Sequence, residues 1–384
     1  LWKMDNMFQL SIELYDTKES KVVWSDRWQE NWDNLVAIKG KLSDGLLKSL
    51  NKKPLITSNI ETTNTEAYEY YLKGKYKMWG SRKNLEDIEI ARGLLQKSID
   101  LDNNLILAKN DIGWSYAFEN NLEKAMEIFK STLIQCEKIG DIREIGHVGL
   151  GHVYRCKGEF RDSVYHINRS ITIDEKLGNL DWVASAQREM AVCYSQIGDF
   201  GKSFDYIKQS IEIYEKLGDK IGLGIDFHCT SLLYYWTGKI DRAWEYAYRS
   251  LEICEQFDSF DWVIFLPLFD LGLYNFDRKE YDKAIEYFEK SISIQKRVAW
   301  KGDGLLVWAT TLLYLSYKKI GKKYDKSLLL PLIKENEHLE EDIYFKLYQL
   351  FEDTTYLETA YNQTQEKADN LEPDVASKFL SYPI

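Results

Sequence analysis

The sequence predicts an all-α solenoid, a row of paired helices in which each pair rests on the next. Three observations predict it. Gly140, Gly178 and Gly218 stand 38 and 40 residues apart in the near-identical stretches CEKIGD, DEKLGN and YEKLGD. The pairs Ser170-Ile171, Ser210-Ile211, Ser250-Leu251 and Ser291-Ile292 recur every 40 or 41 residues. The small residues Ala125, Ser163, Ser203, Ala243 and Ala284 follow at spacings of 38, 40, 40 and 41, and Tyr116, Tyr154, Tyr194 and Tyr234 precede the first four by nine residues each. One period at three positions marks a repeat array, whose single unit cannot bury its apolar stripe alone.

Each unit has the same parts. Its first helix carries a small residue one turn before a Tyr, as in Gly113/Tyr116, Gly151/Tyr154 and Ala191/Tyr194. A short turn follows (ENN at 119–121, KGE at 157–159, IGD at 197–199, TGK at 237–239). The second helix then presents its own small residue to the first, which lets the two helices approach closely. Helix pairs are expected at 65–101, 104–139, 143–177, 181–217, 221–257, 262–298 and 303–333. Residues 334–384 are expected to form a helical cap, with one helix around Tyr344, Leu347, Leu350 and Phe351 and another around Leu357, Ala360 and Tyr361.

The first fifty residues have a different period. Phe8, Leu10, Ile12 and Leu14 alternate with polar neighbours, the mark of a half-buried strand, and Val22, Val23 and Trp24 begin a second. A lone hairpin is marginal in water. The stripe Leu35, Ile38, Leu42, Leu46, Leu47 and Leu50 supplies a helix to cover it. Residues 1–50 are thus expected to be a partial α+β domain, 51–64 a linker and 65–333 the array.

These units resemble the tetratricopeptide repeat family, with G/A-x2-Y in the first helix and Ala or Ser in the second. Residues 272–291 carry the second-helix half best, in Gly272, Tyr281, Ala284, Phe288 and Ser291, although Asn275 replaces the Tyr of the first helix. The period near 40 resembles the long-period subtype. The resemblance implies a right-handed superhelix with its first helices lining a concave groove. Matched position by position, the groove-facing residues are Asn110, Trp114 and Phe118; His152 and Arg155; Arg188, Ser195 and Gln196; His228, Tyr235 and Trp236; and Phe269 and Phe276. The stretch from Phe8 to Leu50, with Leu14-Tyr15-Asp16 and Trp24, and TEAYEYYLKGKY at 65–76 resemble the junction before the repeats in bacterial class III adenylate/guanylate cyclases and related regulators. That likeness implies the regulatory half of a larger signalling protein. The start at Leu1-Trp2-Lys3 fits a fragment.

Composition narrows the function. The net charge is −11, and the only basic runs are short pairs such as Lys318-Lys319 and Lys322-Lys323, which argues against a nucleic-acid partner and slightly favours basic peptides. Aromatics are 14% of the chain and there are only 5 Pro, which suits long helices with aromatic-filled crevices. Cys136, Cys156, Cys193, Cys229 and Cys254 lie in apolar helical runs without CxxC spacing and read as reduced core cysteines of a cytoplasmic protein. No stretch is long enough to cross a membrane. His147 and His152 are five apart and form no metal pair, and GHVGLG at 146–151 lies inside a helix, where its glycines serve packing rather than a nucleotide. No catalytic, metal or cofactor site is expected. The expected function is a non-catalytic module that holds a protein or peptide, or another domain of its parent, in the groove. The alternatives are a homodimerisation scaffold, a small-molecule sensor, or an enzyme active within these residues.

Overall fold

The structure is a computed structural model that describes residues 2–4, 7–16, 21–31, 62, 64–79, 85–141, 143, 145–256, 261–297, 304–336, 339–369, 371 and 373–381. Three antiparallel strands come first: β1 (Trp2–Met4), β2 (Met7–Asp16) and β3 (Lys21–Asn31). Leu10 pairs with Trp28 and Leu14 with Trp24, and a bulge follows at Leu14/Tyr15. Leu10, Ile12 and Leu14 are half-buried while Ser11, Glu13 and Tyr15 are exposed, as period-2 alternation demands. The strand β1 was not foreseen. The expected helix from Leu35 to Leu50 and most of the linker lie outside the described residues.

The array follows as α1 (Thr65–Trp79), α2 (Leu85–Leu101), α3 (Ile106–Phe118), α4 (Leu122–Ile139), α5 (His147–Cys156) and α6 (Phe160–Leu177). It continues through α7 (Leu180–Gln196), α8 (Phe200–Leu217), α9 (Lys220–Trp236), α10 (Ile240–Cys254), α11 (Asp261–Asp277) and α12 (Tyr281–Gln295). Next come α13 (Leu305–Ile320), a 3-10 turn (Lys326–Leu328) and α14 (Leu329–Lys334). The seventh pair is therefore truncated, its second helix reduced to a turn and six residues. Among the described residues the cap has three helices rather than two: α15 (Glu341–Phe351), α16 (Thr354–Asp369) and α17 (Pro373–Ser381).

The repeated residues have repeated jobs. Gly140, Gly178 and Gly218 end their helices at φ 70°, 70° and 69°. The N–H two residues past each helix reaches back five, as from Asp141 to the Cys136 carbonyl. Between the helices of a pair, Gly158, Gly198 and Gly238 take the left-handed position, while Asn120 and Lys279 occupy it at φ 60° and 63°. Lys bears a steric cost there that Gly escapes. Lys279→Gly is expected to raise stability by about 0.5–1 kcal/mol, read as a higher urea midpoint.

The serines clasp each pair together. Ser210, Ser250 and Ser291 donate to the carbonyls of Ala184, Gly224 and Phe265, each 26 residues upstream in the partner helix, at 2.9, 2.6 and 2.8 Å. Ser163 and Ser203 do the same 12 residues back, to Gly151 and Ala191. A buried hydroxyl so satisfied lets the helices touch without an orphaned polar atom. Gly149 and Gly151 of GHVGLG serve packing, as expected: a Cβ on Gly149 would lie 2.4 Å from the Phe129 ring and one on Gly151 2.5 Å from Ile167, whereas Gly146 precedes the helix at φ 121°.

Candidate functional site

The first helices of successive pairs line one groove of about 1390 Å³, which runs from Tyr71, Lys75 and Trp79 on α1 to Leu305 and Trp308 on α13. Eleven of the thirteen expected residues line it: Asn110, Trp114, Phe118, His152, Arg155, Arg188, Ser195, Gln196, His228, Trp236 and Phe269. Tyr235 and Phe276 do not line it. Tyr235 packs on the Tyr274 ring and donates to Asp277, and Phe276 packs edge-on against Tyr281. Arg155 and Ser195 hold the same repeat position and do line the groove, so it is the local cover that differs: the next first helix lies against Tyr235, and Tyr281 of its own pair against Phe276.

Aromatic groups stand at both ends. Trp79 meets Phe118 edge-on at 5.3 Å, and Trp114 lies 6.1 Å from Phe118 and 5.3 Å from the His152 ring. At the other end Phe269 and Trp308 are 5.0 Å apart, with Trp236 and Phe265 nearby on the same wall. The Trp308 indole N–H is buried with no acceptor among the described residues. Sequence reasoning missed Trp79, Trp182, Trp308, Lys75 and Glu340. Trp182, 42% exposed in the groove, sits in the first turn of α7, a position outside the set carried over from the repeat family.

The floor between these ends is a ladder of charges, each rung joining one first helix to the next. From α5, Arg155 donates to Glu189 on α7 at 3.3 Å, with His152 3.4 Å from the same carboxylate. From α7, Arg188 donates to Asp226 on α9 at 3.0 Å. From α9, His228 reaches Asp270 on α11 at 2.6 Å. Asp226 and Asp270 are wholly buried, and each keeps one carboxylate oxygen without a hydrogen-bond partner among the described residues. The rungs fix the rotation of neighbouring first helices, and so the spacing of the aromatic ends.

Burial disfavours charge on all these groups, and the neighbours decide who keeps it. Burial opposes the Glu189 carboxylate, but Arg155 and His152 outweigh it and hold Glu189 far below the usual range. Burial likewise opposes a charged His152, yet Cys156 and Glu189 push its imidazole up to about 10. This raised value stabilises the folded chain fully below about pH 6.5, and the contribution is lost as pH rises towards about 10. Nitrogen NMR of the His152 ring is expected to show both nitrogens protonated at neutral pH; a neutral tautomer there would refute the assignment. For Asp226 burial wins over Arg188, and its carboxyl rises to about 6.

Among the described residues no group of three or more His, Cys, Asp or Glu is placed to hold a metal ion, and no helix is long and apolar enough to cross a membrane. The cysteines are free, and burial pushes the thiols of Cys193 and Cys254 up to about 11.

Comparison with known proteins agrees with this architecture. Tetratricopeptide repeat models match residues 143–216 and 267–297. No curated protein matches the chain. Among solved structures, NprR in complex with its cognate peptide NprX is similar at TM-score 0.61 and 16% identity, over 88% of this chain and 95% of that one. A Rap protein complexed with competence and sporulation factor is similar at 0.55 and 14%, over 91% and 93%. The apo form of the quorum sensor NprR from B. thuringiensis is similar at 0.51 and 17%, over 89% and 97%. At such identities the likeness is one of fold: residues 65 onward form a superhelix of tetratricopeptide type, preceded by a small β-sheet stub.

Proposed function

We propose that this chain is a non-catalytic regulatory module that holds an oligopeptide or an extended protein segment in its concave groove. One observation carries the proposal. The groove is a single long cleft with aromatic walls at both ends and a rigid, internally paired floor between them. A long cleft with separated apolar ends suits an extended chain with side chains to place at each. Aromatic anchors flanked by Arg are what peptide interfaces rely on. Two proteins of this fold are seen as complexes, NprR with its cognate peptide NprX and Rap with competence and sporulation factor. This supports the same use of the groove here.

We infer further that residues 1–50 are the end of a separate α+β domain, joined through 51–64 to an array over 65–333 and a cap over 334–384. In this view the chain is the cytoplasmic regulatory half of a larger signalling protein, of which a nucleotide cyclase is the leading form. The segment bound is then either a separate peptide or part of the parent.

The test is retention of a fluorescent pool of random octapeptides by the immobilised chain. Trp182→Ala and Trp236→Ala are expected to cut retention about tenfold or more, since buried aromatic anchors contribute about 2 kcal/mol or more each. Neither side chain belongs to a rung of the ladder, so the fold should survive, as circular dichroism will check. Unchanged retention by both folded variants would sink the groove as the binding site.

A further inference from the structure

The cap does not merely end the array; it returns to the middle of the groove. Glu340, which leads into α15, accepts a hydrogen bond of 2.7 Å from the Gln196 side chain at the end of α7, 144 residues earlier. Glu340 lines the groove there. A second contact lies beside it: Leu371 packs against the cluster of Phe160, Cys193 and Ile197. Within the cap, Gln363 donates to the Leu339 carbonyl at 3.1 Å, which ties α16 to the segment that carries Glu340.

The chemistry around Gln196 admits one kind of partner. Arg155 is buried and donates to the Gln196 side-chain oxygen at 3.3 Å. A guanidinium can only donate, so the amide oxygen must face Arg155 and the NH₂ must face the other way, into the groove. What sits against that NH₂ must be an acceptor, and a carboxylate is the strongest one a protein or peptide offers. The surrounding charge agrees. Arg155 lies 3.3 Å and His152 3.4 Å from the Glu189 carboxylate, with Arg188 near the same group. Cys156, 3.6 Å from His152, and the buried Cys193 are the other titratable groups on that side.

Glu340 shares a cap cation with its neighbours. It is followed by Glu341 and Asp342, and Lys367 bonds Glu341 at 2.5 Å while facing Glu340 and Asp342 as well. Three successive carboxylates repel one another. A carboxylate brought by a bound peptide meets the same NH₂ without that crowding.

We propose that Gln196, oriented by Arg155, is a carboxylate-binding subsite in mid-groove, that Glu340 fills it from the chain's own cap, and that a carboxylate of a bound oligopeptide takes the place of Glu340. The proposal rests on the groove being a peptide site. Its ligand class is a peptide bearing an acidic side chain or a free C-terminal carboxylate at the centre of the groove. Binding releases Glu340 and leaves Leu371 as the cap's hold on the middle of the array.

The test uses the full chain and four fluorescent pools of random octapeptides. The pools have a free or an amidated C-terminus, each with or without Asp and Glu. Retention of the pool that has neither carboxylate source is expected to fall about tenfold below that of the fully acidic pool, the size of one charge-assisted hydrogen bond. The two intermediate pools identify the source: retention follows either the side-chain acids or the free C-terminus. Glu340→Ala is expected to raise retention of carboxylate-bearing pools about tenfold, and Gln196→Leu to erase the difference among pools. Glu340→Gln keeps an acceptor and removes the charge, so it serves if the Ala variant misfolds; its expected shift is in the same direction and smaller. Equal retention of all four pools, or no gain on freeing Glu340, overturns the subsite and leaves the groove standing as a peptide site. Retention of no pool at all overturns the groove reading and the subsite with it.

Discussion

Arg188→Ala is expected to cost about 3–5 kcal/mol of stability, because it strips the one cationic partner from a fully buried carboxylate. Asp226 already has one oxygen without a hydrogen-bond partner, and Arg188 is its only ion-pair partner within 4 Å among the described residues. The guanidinium also reaches the Gly222 carbonyl at 3.5 Å, so the wild-type rung fixes α7 against α9 at two points. The cost depends on pH. Burial lifts the Asp226 carboxyl to about 6, and an acid whose folded value is raised stabilises the fold when protonated. That contribution is present at low pH and is lost as pH rises through about 6. Without Arg188 the carboxyl rises further, so the loss will be smaller below about pH 6 and larger above it. Urea midpoints of Arg188→Ala across that range check the sign. Adding Asp226→Asn, which removes the charge to be buried, is expected to recover most of the loss at neutral pH. A penalty of the same size at every pH, or no recovery, would falsify the account of the pair.

Phe129→Ala is the other large loss, also expected at about 3–5 kcal/mol. The ring is fully buried between two helices that carry glycine where they face it. A Cβ on Gly113 would lie 2.5 Å from the ring, and one on Gly149 2.4 Å. Trp114 adds an edge-on contact at 5.6 Å. Removing the ring leaves a hole that two glycines cannot fill. The same geometry reverses the sign of a second change. Gly149→Ala in the wild-type chain forces overpacking and is expected to cost about 1–3 kcal/mol. In the Phe129→Ala background the added methyl enters the hole, and Gly149→Ala is expected to be neutral or stabilising. A double-mutant cycle measures this coupling directly, and additivity would contradict a direct contact between ring and glycine.

Arg188 lines the groove and Phe129 packs behind helices that do, so both consequences reach the site. Phe129 fixes α4 against α3 and α5, which carry Trp114 and His152. Arg188 fixes α7 against α9, which carry Gln196 and Trp236. Variants that lose these contacts are expected to lose peptide retention along with stability, whereas Trp182→Ala and Trp236→Ala lose retention with the fold intact.

Much of the architecture was legible in the chain. A repeat writes the same local rules several times, and agreement among copies makes each one readable. The left-handed Gly178 after EKLG, the small residues at Ser203 and Ala243, and the tyrosines nine residues before them each recur because one packing geometry recurs. Eleven groove residues followed from position within the unit, since first helices in a solenoid face one side. Where the pattern lapses, legibility lapsed with it. The short α14, the third cap helix α17 and the strand β1 stand outside the period.

The amino-acid sequence by itself determined the helix pairs, their period, the residues at which they touch and the face they turn inward. These are local or nearest-neighbour matters, decided by propensity, capping and an apolar stripe. Only the tertiary structure decided which charges pair across successive first helices, that Tyr235 and Phe276 leave the groove while Trp182 and Trp308 enter it, and that Glu340 reaches Gln196. Small rotations between units accumulate along a superhelix, and no residue encodes their sum. The meeting of two positions 144 residues apart is set by that sum, so it appears only when the whole array is assembled.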